Sequence, residues 1–533
     1  VNAYYGGLYV HKSLAWLWLI VSEPNKLSIS LDPTSAQFVQ KITNWIGECS
    51  GTHEGCTDPM GEERLMPGRL VSVEKDIQLT KPVNTVRFVA LSYCWGTSDQ
   101  PRTTKANVES RCRGFSTSDF PQTLQDAIFL TKRLGLSYIW IDCLCIVQDD
   151  EQDWATESAK MADIYSRAYV VLAATQASDV AEGFLHTRKS STSVFSNCGR
   201  KKSITVQARR LRNHERILPG SNLDQYPLSK RGWALQERLL ATRIVHFLPD
   251  EAVFECRDQF RCECGRASKE YETLTIWPPA ANSGLQNEAF GKVDEHDLKF
   301  ILSWIRVVEE YSKRHLTFAD DALPALSGIA QRTLSVHPGQ YIAGIWERGL
   351  IRQLAWYLHP YPDSEGKKNS VKIPTFSWIT APGSVLFSRL VPDFKPFCVL
   401  LSAQSIAATT NPFGRITSAQ ISVRGPVVEG DIFVRDFTTN MLISARIYLD
   451  EGHYFQVKHE GGHLRKETIE QLLSLQDWNT VVCCGLYSMY MGVCVLLLQP
   501  APDTDNYVRI GLAENIDVRW FPKHATERTL TII

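Results

Sequence analysis

Between residues 88 and 185, short apolar runs alternate with segments whose apolar residues recur every three or four positions. FVALSYCW reads as a strand. In DFPQTLQDAIFLTKRLG, residues Leu124, Ala127, Ile128, Thr131 and Leu134 form the stripe of an amphipathic helix, with Pro121 suited to its first turn. LSYIWIDCLCI, apolar on both faces, predicts a second strand. DWATESAKMADIYSRA predicts one helix after it, and AYVVLAAT a third strand. Strand–helix–strand–helix–strand is the pattern of a parallel sheet covered by helices. Elsewhere, QFVQKITNWIGEC has helical spacing, and RLVSVE and VRFVALSY read as short strands. KRGWALQERLLATRIVHFLPDEAVFEC predicts a helix and then a hairpin turning at Pro249-Asp250. Residues 285–360 read as helical, with FILSWIRVVEEYSKRH the clearest case. From about 371 short strands and turns take over, as in QISVRGPVVEGDIFV and DTDNYVRIGLAE.

A chain of 533 residues is too long for one ordinary core, so two to four domains are expected. The pattern divides them as a leader region (1–87), an α/β domain (88–265, with its motifs in 88–240), a mainly helical region (266–370) and a β-rich C-terminal domain (371–533). A net charge of −1 supplies no field to draw the chain onto nucleic acid or an anionic membrane. The apolar run LAWLWLIV (14–21) is far short of a membrane-spanning helix, so no membrane span is expected. Fourteen irregularly spaced cysteines in a chain rich in apolar residues read as reduced, buried thiols, which points to a cytoplasmic protein. The basic stretch at 186–230 reads as a solvated insertion.

Candidate chemistry gathers in three places. In WIDCLCIVQDD, Asp142 and Cys145 lie towards the exit of their strand, as do Tyr93, Trp95 and Gly96 on theirs, and ligands of parallel sheets bind at that end. Gln148 borders this run, and Asp149 or Asp150 suits the N-cap of the next helix. In that helix Trp154, Glu157, Met161 and Ile164 share one face, so Glu157 lies on an apolar stripe. There it must be hydrogen-bonded, paired or turned to a pocket. Arg231, Trp233, Gln236 and Glu237 form a third group, in which Arg231 has Asp142 or Glu157 as possible partners. These acids and the arginine read equally as a site or as a buried structural network. Two further options stay open. Cys49, His53 and Cys56 are soft ligands in eight residues, short of the four that structural zinc takes unless Cys256, Cys262 or Cys264 contributes. Cys145 or Cys94 could act as a nucleophile with a distant histidine.

The blocks VALSYCWG, FPQTLQDAI, YIWIDCLCIVQDD, DWATESAKMADIY and RGWALQERLL, in this order, resemble the fungal heterokaryon-incompatibility (HET) domain family. WIGECSGTHEGC before them, and DALPALSGIA, YIAGIWERGL and PTFSWIT after them, are similar to the flanks of full-length HET proteins. Phe120 stands where the family often has leucine, and Cys143 where serine is common. The resemblance implies self/non-self recognition and an effector role in programmed cell death, with protein partners or self-association. It also implies a distant likeness to TIR domains, hence a TIR-like parallel sheet with flanking helices. By that likeness Glu157, in Trp154-Ala-Thr-Glu157, would be the catalytic residue of an NAD-cleaving enzyme, stabilising an oxocarbenium-like ribose, with NAD as substrate rather than resident cofactor. Ala155 replaces the cysteine of the TIR pattern. A non-enzymatic assembly module and a hydrolytic or biosynthetic enzyme using Cys145 and Glu237 are the alternatives.

Overall fold

A computed structural model of the chain describes residues 29–56, 66–188, 226–264, 295–334, 339–359, 373–388, 394–430, 445–457, 477, 480–489 and 492–533, together with the backbone of short strands at Gly6–Gly7, Trp18–Leu19, Ser193–Gly199 and Lys202–Ala208. The side chains of the apolar run at 14–21, residues 189–225 of the basic stretch and residues 266–294 of the expected helical region lie outside the described residues. The chain divides into two compact units, Val1–Leu274 and Thr275–Ile533.

The first unit is built on an eight-stranded mixed sheet. In chain order its strands are β1 (Leu70–Ser72), β2 (Gln78–Thr80), β3 (Val89–Ser92), β4 (Tyr138–Trp140), β5 (Val170–Ala173), β6 (Arg243–Phe247), β7 (Ala252–Cys256) and β8 (Phe260–Cys262). They lie in the order β8-β7-β6-β5-β3-β4-β1-β2. The centre is parallel, β4-β3-β5-β6, and antiparallel strands close both sides. Every residue of β3, β5 and β6 is buried, as expected of parallel strands covered on both faces. The connections from β3 to β4 and from β4 to β5 leave β3 in opposite directions, which creates a switch point between the carboxyl ends of β3 and β5.

Local sequence explains the helices. Along α1 (Ala36–Thr52), Phe38, Val39, Ile42, Ile46 and Cys49 are buried at helical spacing, and Ser35 caps the start by accepting the Phe38 N–H. In α2 (Gln122–Arg133) the expected stripe from Leu124 to Thr131 is buried, and Pro121 sits at the N-cap. Gly135, in the left-handed region at φ 74°, ends that helix, its N–H reaching the Lys132 carbonyl and that of Leu136 the Thr131 carbonyl.

Two expectations about this unit are corrected. The strand expected over LSYIWIDCLCI stops at Trp140, and α3 (Asp142–Cys145) is a single helical turn. The Asp142 carboxylate accepts the N–H of Cys143 (2.7 Å), while the Ile141 carbonyl accepts those of Leu144 and Cys145, so the chain turns where the apolar run continues. A buried helical turn and a buried strand share the same apolar signature. The single helix expected after it is two, α4 (Glu151–Ala159) and α5 (Met161–Arg167), broken at Lys160. The hairpin at Pro249-Asp250 is present as β6 and β7, and Gly232–Leu240 forms α6 before it.

The second unit holds helices α7 (Glu295–Ser312) and α8 (Pro324–Leu334). Residues 339–359, expected to be helical, instead form short strand pairs and one helical turn. Gly344 (φ 94°) and Gly349 (φ 70°) interrupt the helical pattern there. A nine-stranded sheet follows, as the C-terminal pattern predicts. Its strands include β9 (Val399–Ala407), β10 (Ile416–Glu429), β11 (Ala445–Leu449), β12 (Tyr454–Val457), β13 (Val482–Met489), β14 (Gly492–Pro500), β15 (Tyr507–Asp517) and β16 (Thr526–Ile532). Pairing runs β10-β13-β14-β15-β16 and back to β10, a closed ring in which the link between β15 and β16 is one parallel register pair, Tyr507 with Ile532. Val428, Ile447, Cys483, Val495, Leu497 and Phe521 pack in its core. Among the described residues no helix is long and apolar enough to cross a membrane.

Candidate functional site

The carboxyl ends of β3 and β4 and the start of α6 bring polar residues from two of the three candidate groups to one place. Asp142 leaves β4 just after its last residue. Its Oδ1 accepts the Tyr93 hydroxyl (2.9 Å) and its Oδ2 the Trp95 indole N–H (2.8 Å). The third contact, from Cys143 N–H, belongs to the turn itself. Gln148 braces that turn from below, its Nε2 donating to the Asp142 and Ile146 carbonyls (3.1 and 3.2 Å).

Glu237 approaches from α6. It is buried, and the Ser92 hydroxyl donates to its Oε2. The Tyr165 hydroxyl, which donates to the Leu91 carbonyl (3.0 Å), lies beside it. Burial pushes the Glu237 carboxyl up to about 7, against the pull of Arg231 and the Ser92 hydrogen bond. Burial also works against the Arg231 charge, but Glu237, Cys94 and Asp142 around it more than offset that and hold its guanidinium firmly protonated. Gln236 is buried next to Glu237 on the helix, while Trp95, Asp142, Arg231 and Trp233 are half-buried. The result is a buried polar group (Ser92, Tyr93, Glu237) beside one indole (Trp95), a guanidinium (Arg231) and a carboxylate (Asp142) that are half-buried.

The loop that carries Trp95 is held by Asp179, beyond β5. Asp179 Oδ2 accepts the N–H groups of Thr97 (2.8 Å) and Ser98 (2.9 Å). Gly96 makes the turn possible: its φ is 70°, and a Cβ there would lie 2.6 Å from the Asp179 Cα. Arg102 lies over the Trp95 ring, 5.5 Å from its centroid.

Glu157 sits elsewhere. It is the one buried residue of α4, the expected stripe being broken at Lys160; its Oε2 accepts the Gly68 N–H (3.0 Å) and its Oε1 pairs with Lys160 (2.8 Å). A Cβ on Gly68 would be 2.7 Å from Oε1, so backbone closes over the carboxylate. Neighbouring Asp153 makes a parallel link, pairing with Arg69 and accepting the Val147 N–H (2.8 Å). Of the two acids offered as a cap for α4, Asp150 takes the role, accepting from Gln152 and Asp153 N–H, and Asp149 accepts the Lys105 N–H instead (2.8 Å).

The two thiols that the sequence offers as nucleophiles are poor ones. Burial pushes Cys145 up to about 12 and Cys94 up to about 11, so both stay protonated at neutral pH. Cys145 Sγ accepts the Ile141 N–H (3.5 Å) within the α3 turn. Of the thirteen described cysteines, all but Cys112 are buried.

Ser92, Tyr165 and Asp179 escape the sequence reading. Ser92 left a signal, since it is the single hydroxyl in an otherwise apolar strand. Tyr165 and Asp179 left none, because their partners are distant in the chain.

No curated protein and no solved structure matches the chain. The family model described as heterokaryon incompatibility protein (HET) matches residues 88–237, a span that runs from the residue before β3 through Asp142 and Arg231 to Glu237 itself. The chain therefore carries a HET domain over residues 88–237, and the polar cluster at the carboxyl edge of the sheet belongs to that domain.

Proposed function

We propose that this chain is an effector of fungal heterokaryon incompatibility, and that its HET domain triggers cell death after self/non-self recognition by cleaving NAD at the carboxyl edge of the parallel sheet. The observation that carries the reading is Glu237, a buried carboxyl pushed up to about 7 in a cluster with Arg231, Asp142 and Ser92. The strand order β4-β3-β5-β6 supports it, because doubly wound sheets of this order take nucleotide-like ligands at their switch point. Arg231 has the chemistry to pair with a pyrophosphate, and the indole faces suit a nicotinamide or adenine ring.

In this mechanism the bond between nicotinamide and ribose C1′ breaks with its electron pair going to nicotinamide. Water adds to C1′, and the Glu237 carboxylate takes the proton that the water loses. Asp142 faces the cationic ribose. Glu157, which the TIR likeness makes the catalytic residue, has both carboxylate oxygens engaged by Gly68 and Lys160, so the proposal makes Glu237 the base instead.

The test is induced expression of the full chain in a fungal host, scored by viable counts. Wild type lowers viability and Glu237→Gln, expressed to the same level, does not. Harmless wild-type expression contradicts the effector role. Equal killing by Glu237→Gln leaves the effector role standing and excludes the chemistry, as an assembly module would require.

A further inference from the structure

We propose that Cys49, His53, Cys56 and Cys256 form a structural zinc site that fastens α1 to the edge of the HET-domain sheet. Their ligand atoms all lie within 4.8 Å of one another, and all four residues are buried. Three thiolates and one imidazole are a standard tetrahedral zinc set. With Zn–S bonds near 2.3 Å, tetrahedral ligand atoms lie roughly 3.8 Å apart. His53 Nδ1 and Cys256 Sγ are 3.4 Å apart.

Local structure sets up the donors. Cys49 lies in the last turns of α1. His53 is the C-cap, its N–H bonded to the Cys49 carbonyl, and Cys56 ends the short helical turn Glu54–Cys56 that follows. The x3 and x2 spacings thereby turn three donors to one side. Cys256, the last residue of β7, meets them from 203 residues beyond His53. This selects Cys256 from the candidates for fourth ligand. Cys262 and Cys264 instead gather with Glu251 in a separate group, and Glu251 accepts the Cys264 N–H (3.1 Å).

One further observation fits a cation. The charge closes: three thiolates with Zn²⁺ leave one negative charge, and the buried guanidinium of Arg243, which donates to the Cys56 carbonyl, supplies one positive. The segment is clamped from outside as well. Arg257 donates to the Gly55 carbonyl (3.0 Å), and Arg261 grips Glu48 with two hydrogen bonds (2.5 and 2.7 Å).

The test is metal analysis of the full chain purified from zinc-supplemented medium without chelator. The proposal expects one zinc per chain, near zero in Cys256→Ser, and an unchanged content in Cys262→Ser. Because the Cys256 variant can fail to fold, the wild type is also loaded with Co²⁺. A sulfur-to-cobalt charge-transfer band together with tetrahedral visible bands supports the site. Metal-free wild type that takes up no zinc or cobalt overturns it. So does a disulfide between two of the three cysteines in place of metal, or full zinc content in a folded Cys256→Ser protein.

Discussion

At Glu237 the protonated and charged forms are nearly balanced at neutral pH because burial removes the water that would favour the charge, while Arg231 restores part of it. That balance has a thermodynamic consequence. The carboxyl sits at about 7 in the folded chain against an ordinary 4.5, so the folded state holds its proton more tightly than the unfolded state. The stabilisation is complete below the unfolded value and is lost as pH rises through the folded one, by roughly 3 kcal/mol at most. Glu237→Gln keeps the shape and removes the titration. Urea midpoints measured at about pH 5 and about pH 7.5 should therefore differ less in the variant than in wild type. An equal difference in both would mean that Glu237 is not buried in the way described.

At the scale of elements, the docking of α4 onto the segment before β1 rests on Glu157 and Asp153, which reach Gly68 and Arg69. Glu157→Ala leaves the Gly68 N–H and Lys160 without their partner, a loss of about 1–3 kcal/mol. Denaturant unfolding should show that loss, with NAD cleavage by the folded protein retained. Loss of cleavage at wild-type stability would return the catalytic role to Glu157. The same residue shows how far the chain could be read in advance. Helical spacing places Glu157 on an apolar stripe, but its partner Gly68 stands 89 residues earlier, and no local pattern announces it. Asp142 shows the converse. The blocks that carry Asp142, Tyr93, Trp95, Arg231 and Glu237 are legible in order, and so is the place of Tyr93, Trp95 and Asp142 towards the exit of parallel strands. Their assembly into one cluster depends on the strand order, which periodicity does not contain. The misread strand over Asp142–Cys145 has a similar origin: apolar burial is visible in sequence, and the hydrogen bond by which Asp142 turns the chain is not.

Over the whole molecule, stability in acid rests partly on a buried network beside the parallel sheet. Burial alone would raise the Glu255 carboxyl, but Arg238 (2.9 Å) and His246 (3.2 Å) pull it down to about 2. His246, lowered by its own burial, is held on its other nitrogen by Thr175 (3.2 Å). A depressed carboxyl stabilises the fold above its unfolded value and loses that contribution as pH falls towards the folded one. The acid limb of stability between about pH 4.5 and about pH 2 should therefore be shallower by roughly 3 kcal/mol in Glu255→Gln. An acid limb identical to wild type would remove Glu255 from the account. The most direct test of the central claim, that the carboxyl edge of the HET-domain sheet is a chemical site centred on Glu237, is nicotinamide release from NAD by the purified full chain across pH. The account predicts release by wild type that rises as pH increases through about 7, and loss of it in a folded Glu237→Gln protein. No release by wild type, or equal release by Glu237→Gln, would contradict it.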